Sequence, residues 1–172
     1  MGGPALIDGK LVRATDNFHA AKFKVDGVEY YSSENYFQCA KCVDENEKES
    51  VRHSGTGGDV WMAGARVKLR KDWEIVKVRE MYVGCKAKYE QNSNLKNELI
   101  STSGPITFSG STWFWCKWNG KITELLREEL KEPELQDESK ILEIRKEIEN
   151  YEQEQAGLSD TERDKKTYDP YM

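Results

Sequence analysis

The sequence has no hydrophobic stretch long enough to cross a membrane, and its N-terminus lacks the pattern of a secretory signal peptide. These absences lead us to expect an intracellular protein, cytoplasmic or nuclear, with no membrane partner. Its 172 residues include only 4 cysteines and 2 histidines. In an intracellular protein the cysteines are expected to be reduced thiols, and two histidines give little material for an acid–base triad.

Metal-ligating and phosphate-binding motifs are also scarce. Cys39 and Cys42 form a CxxC pattern, but no second CxxC follows. Because zinc needs about four ligands and few other cysteines and histidines could complete the set, we predict no metal site and no cofactor. The glycine cluster SGTGG at 54–58 lacks both a GK[ST] ending and a full GxGxxG, so we interpret it as a turn rather than as a phosphate loop.

Charge is abundant but unevenly distributed. Residues 121–172 carry 9 Lys/Arg and 16 Asp/Glu, whereas residues 1–120 carry 17 and 15. The acidic excess therefore belongs to the C-terminal part. The front part is mildly basic and includes the run RVKLRK at 66–71, which could meet phosphate, although most short basic runs are solvated surface.

The pattern along the chain predicts several helices and one hairpin. FKVDGVEYY (23–31) is typical of a hairpin, because Asp26-Gly27 suits a type I′ turn. We predict helices over about 33–43, 45–53, 60–69 and 72–91, and a shorter one ending at Ile100. The helix over 72–91 has the strongest pattern, and Asp72 is its expected N-cap. We predict an irregular loop for 101–120, although it contains three Trp and one Phe within six residues. These aromatic side chains must pack either on the core or on a ligand.

The sequence of the C-terminal part predicts two helices, which are separated by a break near Pro133. The second has one apolar stripe under an acidic surface, so we expect it to dock on the domain or to pair with another chain. The stripe consists of Ile141, Leu142, Ile144, Ile148 and Tyr151.

The stretch SSENYFQCAK (32–41) carries the most suggestive chemistry. Glu34 and Lys41 are seven residues apart, which places both on one helical stripe together with Gln38. A carboxylate can transfer protons, and a lysine amine can form a Schiff base if burial or a nearby cation lowers its pKa. The alternative is a solvated helix face on which both are only surface charges.

The same stretch resembles the opening motif of the NADAR family, which typically reads DG…SEHYFQAQK. Asn17-Phe18 is similar to the family's upstream SNF motif, LRKDWEIVKVREM…KAKYEQN (69–92) resembles its long helix, and Asn119 begins its final motif. The similarity covers about residues 15–130. It implies a mainly α-helical α+β fold with a small sheet or hairpin, formed by residues 1–131. An acidic helix at 132–158 and a flexible tail at 159–172 would follow.

The resemblance also implies an enzyme, an N-glycosyl hydrolase that cleaves the bond between ribose and an amino group. Its substrate would be ADP-ribosylated guanine of nucleic acid, with ADP-ribose as product, or a phosphoribosylamino intermediate of the riboflavin pathway. A non-catalytic ADP-ribose-binding module is the third possibility. The match assigns catalysis to Glu34 and Lys41. The predicted substrate-binding residues, which combine this match with the basic run and the Trp-rich segment, are Asn17, Phe18, Asn35, Tyr36, Arg70, Trp73, Trp113, Trp115 and Asn119.

Two positions depart from the family pattern. Phe108 stands where the family often has Glu, and Thr112 where it has Asp. Fewer carboxylates would reduce repulsion toward a pyrophosphate, which favours the ADP-ribose substrate.

Overall fold

The structure, a computed structural model, describes residues 2–167 and combines two β-hairpins with eight α-helices in that range. The strands are β1 Ala5–Ile7, β2 Lys10–Val12, β3 Phe23–Val25 and β4 Val28–Tyr30. The helices are α1 Ser33–Ala40, α2 Glu45–Arg52, α3 Gly58–Gly64, α4 Trp73–Gln91, α5 Ser93–Ile100, α6 Trp113–Glu129, α7 Glu138–Ala156 and α8 Asp160–Thr167. This architecture confirms the predicted, mainly helical α+β fold.

Both hairpins turn through an Asp-Gly pair. In the predicted hairpin β3 pairs antiparallel with β4, and Asp26 and Gly27 have φ angles of 49° and 80°. Both residues are thus in the left-handed region that a type I′ turn needs. The second hairpin, β1–β2, turns at Asp8 and Gly9 with φ angles of 51° and 73°. It was not predicted, although the same dipeptide marks it in the sequence.

Helix α1 begins where predicted, whereas α3 ends earlier than predicted. The Ser32 hydroxyl accepts a hydrogen bond from the Asn35 N–H at 2.9 Å, which caps α1. The prediction of one helix over 60–69 is wrong beyond Gly64, where α3 ends. Leu69 instead forms a β-bridge with Cys42. This pairing holds the segment after α3 extended against the end of α1.

The Trp-rich segment was predicted as an irregular loop, and this is wrong from Trp113 onward. Thr112 caps α6 by accepting a hydrogen bond from the Trp115 N–H at 3.4 Å. Trp115, Trp118 and Ile122 are all buried on one face of the helix. Helical spacing of these large side chains therefore outweighs the local signals for a loop.

The C-terminal part packs on the rest of the protein. The predicted break is confirmed by a 3₁₀ turn at Pro133–Leu135. Helix α7 packs against α4 and α6 and buries Ile141, Ile144 and Ile148 in the main core. Leu142, predicted on the same stripe, is 63% exposed. Of the expected flexible tail, Asp160–Thr167 form α8, and 168–172 lie outside the described residues.

Helix α4 is central to the fold, because it contacts α1, α5, α6, α7 and the β3–β4 hairpin. A main core of aliphatic and aromatic side chains lies between α4, α6 and α7, and a smaller core lies beneath the β3–β4 hairpin. Helix α1 contributes to both, so its faces are fixed from two sides. None of the helices in residues 2–167 is long and apolar enough to span a membrane.

Candidate active site

Helix α1 presents a buried carboxylate at its first turn. Glu34 and Gln38 are both 0% exposed, and the Gln38 side-chain N–H donates to Glu34 Oε1 at 2.5 Å. The Glu34 backbone N–H donates to the Asn17 carbonyl at 2.9 Å. The carboxylate is thus held by its neighbour one turn along the helix, and its backbone is attached to the loop before the β3–β4 hairpin.

Lys41 follows the last residue of the same helix. Its ammonium lies 5.6 Å from the ring centre of Phe37 and 5.9 Å from that of Trp73. The Lys41 carbonyl accepts a hydrogen bond from the Arg70 N–H at 2.9 Å, which fixes the backbone at this point. Lys41 is therefore positioned by aromatic rings and by its main chain.

Burial lowers the pKa of Lys41, because the charged form is desolvated. The negative charge of Glu34 acts in the opposite direction, and the positive charge of Lys77 lowers this pKa further. Lowering prevails. Both conditions named for a Schiff-base lysine, burial and a nearby cation, are thus present at this residue.

An aromatic cluster forms the wall next to Lys41. The Phe37 ring centre lies 4.9 Å from that of Trp73 and 5.0 Å from that of Trp115. Trp73 and Trp115 are only 6% and 4% exposed. Trp113, in contrast, is 78% exposed at the start of α6. Trp115 is thus a packed residue, whereas Trp113 has its ring available to a ligand.

Two asparagines from distant parts of the chain meet beside Glu34. The Asn17 side-chain N–H donates to Asn119 Oδ1 at 3.4 Å, and Asn17 Oδ1 accepts from the Cys85 thiol at 3.4 Å. Both asparagines are 3% exposed. Phe18, next in sequence, lies near Gly57, because a Cβ added at Gly57 would be 3.7 Å from the Phe18 side chain. The structure therefore brings Asn17, Phe18 and Asn119 to the Glu34 end of α1.

Three other predicted substrate-binding residues form hydrogen bonds to other residues of the protein. Asn35 donates to the carbonyls of Arg52 and Gly55, at 2.9 and 2.8 Å, and so ties α1 to the loop after α2. The Tyr36 hydroxyl donates to Glu80 at 2.6 Å, and its ring belongs to the smaller core. Arg70 also donates to Glu80, at 3.2 Å. Contact of these residues with substrate stays a prediction.

Arg70 and Trp73 line a cavity of about 280 Å³, whose described lining does not include Lys41. Trp73 links the two, because its ring centre lies 5.9 Å from the Lys41 ammonium. Lys71 and Arg163 also line the cavity, together with the carboxylates of Glu74 and Asp160, so it is polar and of mixed charge. We refer to it as the Arg70 cavity. Its lining joins the basic run of the sequence to helix α8.

The positions that depart from the family pattern have clear structural tasks. Phe108 is partly buried and packs on the main core. Thr112 is the N-cap of α6, and Thr and Asp are both good N-cap residues. The helix start is therefore preserved without the acid.

Sequence reasoning missed two buried lysines of α4. Lys88 is 0% exposed and donates to the Ala14 carbonyl at 2.9 Å, which anchors the loop that leads to Asn17. Lys77 is paired with Glu74 at 2.6 Å, and its ammonium lies 4.3 Å from the Phe114 ring centre. The helical spacing could have indicated that both lysines lie on the buried face of α4. Lys77 follows Trp73 by four residues, and Lys88 follows Lys77 by eleven, which is close to three helical turns.

Known proteins are similar to this chain in sequence. The family model of the NADAR domain matches residues 10–113. N-glycosidase YbiA of Escherichia coli (strain K12) is 38% identical over 93 residues, which are 51% of this chain and 56% of that protein. N-glycosidase YbiA of Shigella sonnei (strain Ss046) gives the same values. The chain thus spans 56% of the length of these curated relatives.

A solved structure is similar as well. The NMR structure of the E. coli protein YbiA aligns with a TM-score of 0.61 and 29% sequence identity. The alignment covers 68% of this chain and 77% of that one.

Proposed function

Because the chain belongs to the NADAR domain family, we propose that it is an N-glycosidase that hydrolyses the bond between ribose and an amino group. We further propose that it removes ADP-ribose from ADP-ribosylated guanine in nucleic acid. The relatives named N-glycosidase support the class of reaction. The observation that carries the proposal is one helix that holds a buried carboxylate at its start and a lysine of lowered pKa at its end.

The proposed reaction uses Lys41 as nucleophile. When the ribose ring of the N-glycoside opens, the anomeric carbon becomes part of an imine with the base nitrogen. The neutral Lys41 amine adds to this carbon, and Glu34 carries the two amine protons in turn from the lysine nitrogen to the base nitrogen, so that the base can leave as a neutral amine. The carbon–nitrogen bond to the base then breaks, which leaves the sugar as a Schiff base of Lys41.

Water completes the cycle. It adds to the carbon of the Lys41 Schiff base while Glu34 takes one of its protons and passes it to the lysine nitrogen. The carbinolamine then breaks its bond to that nitrogen as its hydroxyl proton is transferred in the same way. The sugar leaves as an aldehyde that closes to ADP-ribose, and the lysine regains its amine. The net reaction consumes one water, and no oxidant or reductant enters it.

The surroundings of Lys41 suit the ADP end of the substrate. The Arg70 cavity supplies cationic side chains next to Trp73. Trp113 offers an exposed ring on which adenine can stack. The replacement of two family acids by Phe108 and Thr112 removes negative charge that would repel a pyrophosphate.

The test is to incubate the protein separately with an ADP-ribosylated oligonucleotide and with a phosphoribosylamino-pyrimidine, and to measure the released sugar phosphate. We expect release of ADP-ribose from the oligonucleotide, and loss of this activity in Lys41→Arg and Glu34→Gln. Release from the pyrimidine alone would assign the riboflavin-pathway reaction instead. Tight ADP-ribose binding without release from either substrate would indicate a non-catalytic reader.

A further inference from the structure

A second cavity, of about 410 Å³, opens at the end of α1 that carries Glu34. Lys22, Tyr31, Arg52 and His53 line it together with small residues that include Thr56. We call it the Tyr31 groove. Tyr31 directly precedes Ser32, whose hydroxyl caps α1 and also donates to the Thr56 carbonyl at 2.7 Å. The groove is thus built on the same cap that positions Glu34.

The charge of the Tyr31 groove is opposite to that of the whole chain. Its described lining includes no Asp or Glu, although the formal net charge of the protein is -5. Glu29 and Glu49 pair with Lys22 and Arg52 but do not line the groove. Arg52 also donates to the Glu29 carbonyl at 3.0 Å, so its guanidinium is held in place. This lining suits a ligand with negative charge.

The Tyr31 groove also has an aromatic surface. The Tyr31 ring centre lies 6.4 Å from that of His53, and the Lys22 ammonium lies 5.6 Å from the Tyr31 ring centre. Cations beside exposed aromatic rings are the usual elements of single-strand nucleic-acid binding, because phosphates meet the cations and bases stack on the rings.

The direction of α1, with Glu34 near its start and Lys41 at its end, decides which part of the substrate lies in the Tyr31 groove. In the proposed reaction the sugar carbon bonds to Lys41, and the ADP group continues from it. The Arg70 cavity adjoins Lys41 through Trp73. Glu34 handles the proton of the departing base and lies in the first turn of α1, three residues after Tyr31, which lines the groove. The base and the strand attached to it should therefore leave toward the groove.

We propose that the Tyr31 groove binds the nucleic-acid strand on the leaving-group side of the candidate active site, with a phosphate near Lys22 and Arg52 and a base on Tyr31. This inference rests on the proposed function for the identity of the strand. It makes the groove the feature that separates an oligonucleotide substrate from a small nucleoside substrate.

The test measures binding of an unmodified, fluorescein-labelled single-stranded oligonucleotide by anisotropy at several salt concentrations. Lys22→Ala should lower the slope of log affinity against log salt by about 0.7, the value of one single-strand phosphate contact. Tyr31→Leu keeps a bulky side chain without the ring and should weaken binding about tenfold. Lys24→Ala is the matched control, because Lys24 is exposed on the same hairpin and does not line the groove.

Binding of free ADP-ribose is measured on the same proteins, and it should be unchanged in all three variants. Weaker ADP-ribose binding in Lys22→Ala and Tyr31→Leu would place the ADP group in the groove and overturn the inference. So would equal oligonucleotide binding by all variants, or no binding by the wild type at about 0.1 mM protein and low salt. A wild type that binds the strand through the groove but releases no ADP-ribose contradicts the proposed reaction alone.

Discussion

Gly64→Ala should damage the candidate active site without touching any ligand. Helix α3 approaches α1 so closely at Gly64 that an added Cβ would overlap Gln38 Oε1 and lie 2.7 Å from its Cδ and 2.8 Å from its Cβ. Gln38 is fully buried and donates to Glu34. It can yield only by moving the amide that holds the carboxylate.

The expected loss of stability follows from three effects, of which two destabilise the protein and one partly offsets them. Overpacking a core costs about 1–3 kcal/mol, and a hydrogen bond to a charged group is worth about 1.5–3 kcal/mol. Replacing Gly by Ala within a helix returns at most about 1 kcal/mol. Together these contributions give a net loss of about 1.5–5 kcal/mol in the free energy of unfolding. At an m-value of about 2 kcal/mol/M, this loss lowers the urea midpoint by about 0.8–2.5 M. At a temperature where the variant is folded, kcat should fall tenfold or more, because Glu34 loses its orientation.

Gly58→Ala is the matched control on the same helix. Apart from its chain neighbours and the backbone of its own helix, no heavy atom lies within 4 Å of the position of its added Cβ. Its stability should therefore equal that of the wild type or exceed it by at most about 1 kcal/mol. Urea denaturation and initial rates are measured on both variants. If Gly64→Ala is as stable and as active as Gly58→Ala, the reasoning about the contact between α3 and α1 is wrong.

The remaining predictions concern the core and the titration of the site. A chain that ends at Lys131 should be unfolded, or its free energy of unfolding in urea denaturation should be lower by several kcal/mol. The reason is that burial of each of the three isoleucines of α7 contributes about 1.5–3 kcal/mol. A urea midpoint equal to that of the full chain would contradict this. Trp115→Ala should lower the free energy of unfolding by about 3–5 kcal/mol. Trp113→Ala should leave the melting temperature unchanged and weaken ADP-ribose binding. Equal effects of the two variants on stability would contradict the conclusion that Trp115 is packed and Trp113 is not. The rate kcat/KM should rise with pH and level off above the pKa of Lys41, which burial lowers below 10.5, because only the neutral amine attacks. Lys77→Met should shift this rise to higher pH, and a shift to lower pH would contradict its electrostatic role.

Local patterns in the sequence predicted the parts of the fold that depend on local chemistry. The Asp26-Gly27 turn and the start of α1 at Ser33 use interactions within a few residues, and both were predicted correctly. The start of α6 was missed, because Gly, Pro and Ser upstream of Thr112 indicate a loop whereas the burial of Trp115 depends on α1 and α4. Tertiary packing decided this element.

The candidate site shows the same division. The helical spacing of Glu34 and Lys41 could be predicted from α1 alone. The contact between Gln38 and Gly64 could not, since it depends on how closely two helices approach. The anchoring of the Asn17 loop by a lysine 71 positions further along the chain is also a tertiary contact that no local pattern encodes.

The most direct test of the central proposal is to trap the intermediate. Borohydride added during turnover of an ADP-ribosylated oligonucleotide should reduce the Schiff base and leave ADP-ribose covalently attached to the protein. Peptide mass analysis should locate the adduct on Lys41, and Lys41→Arg should give neither adduct nor turnover, because a guanidinium stays protonated. Turnover without any adduct, together with an active Lys41→Arg variant, would contradict the lysine mechanism and leave Glu34 to act alone through an oxocarbenium-like transition state.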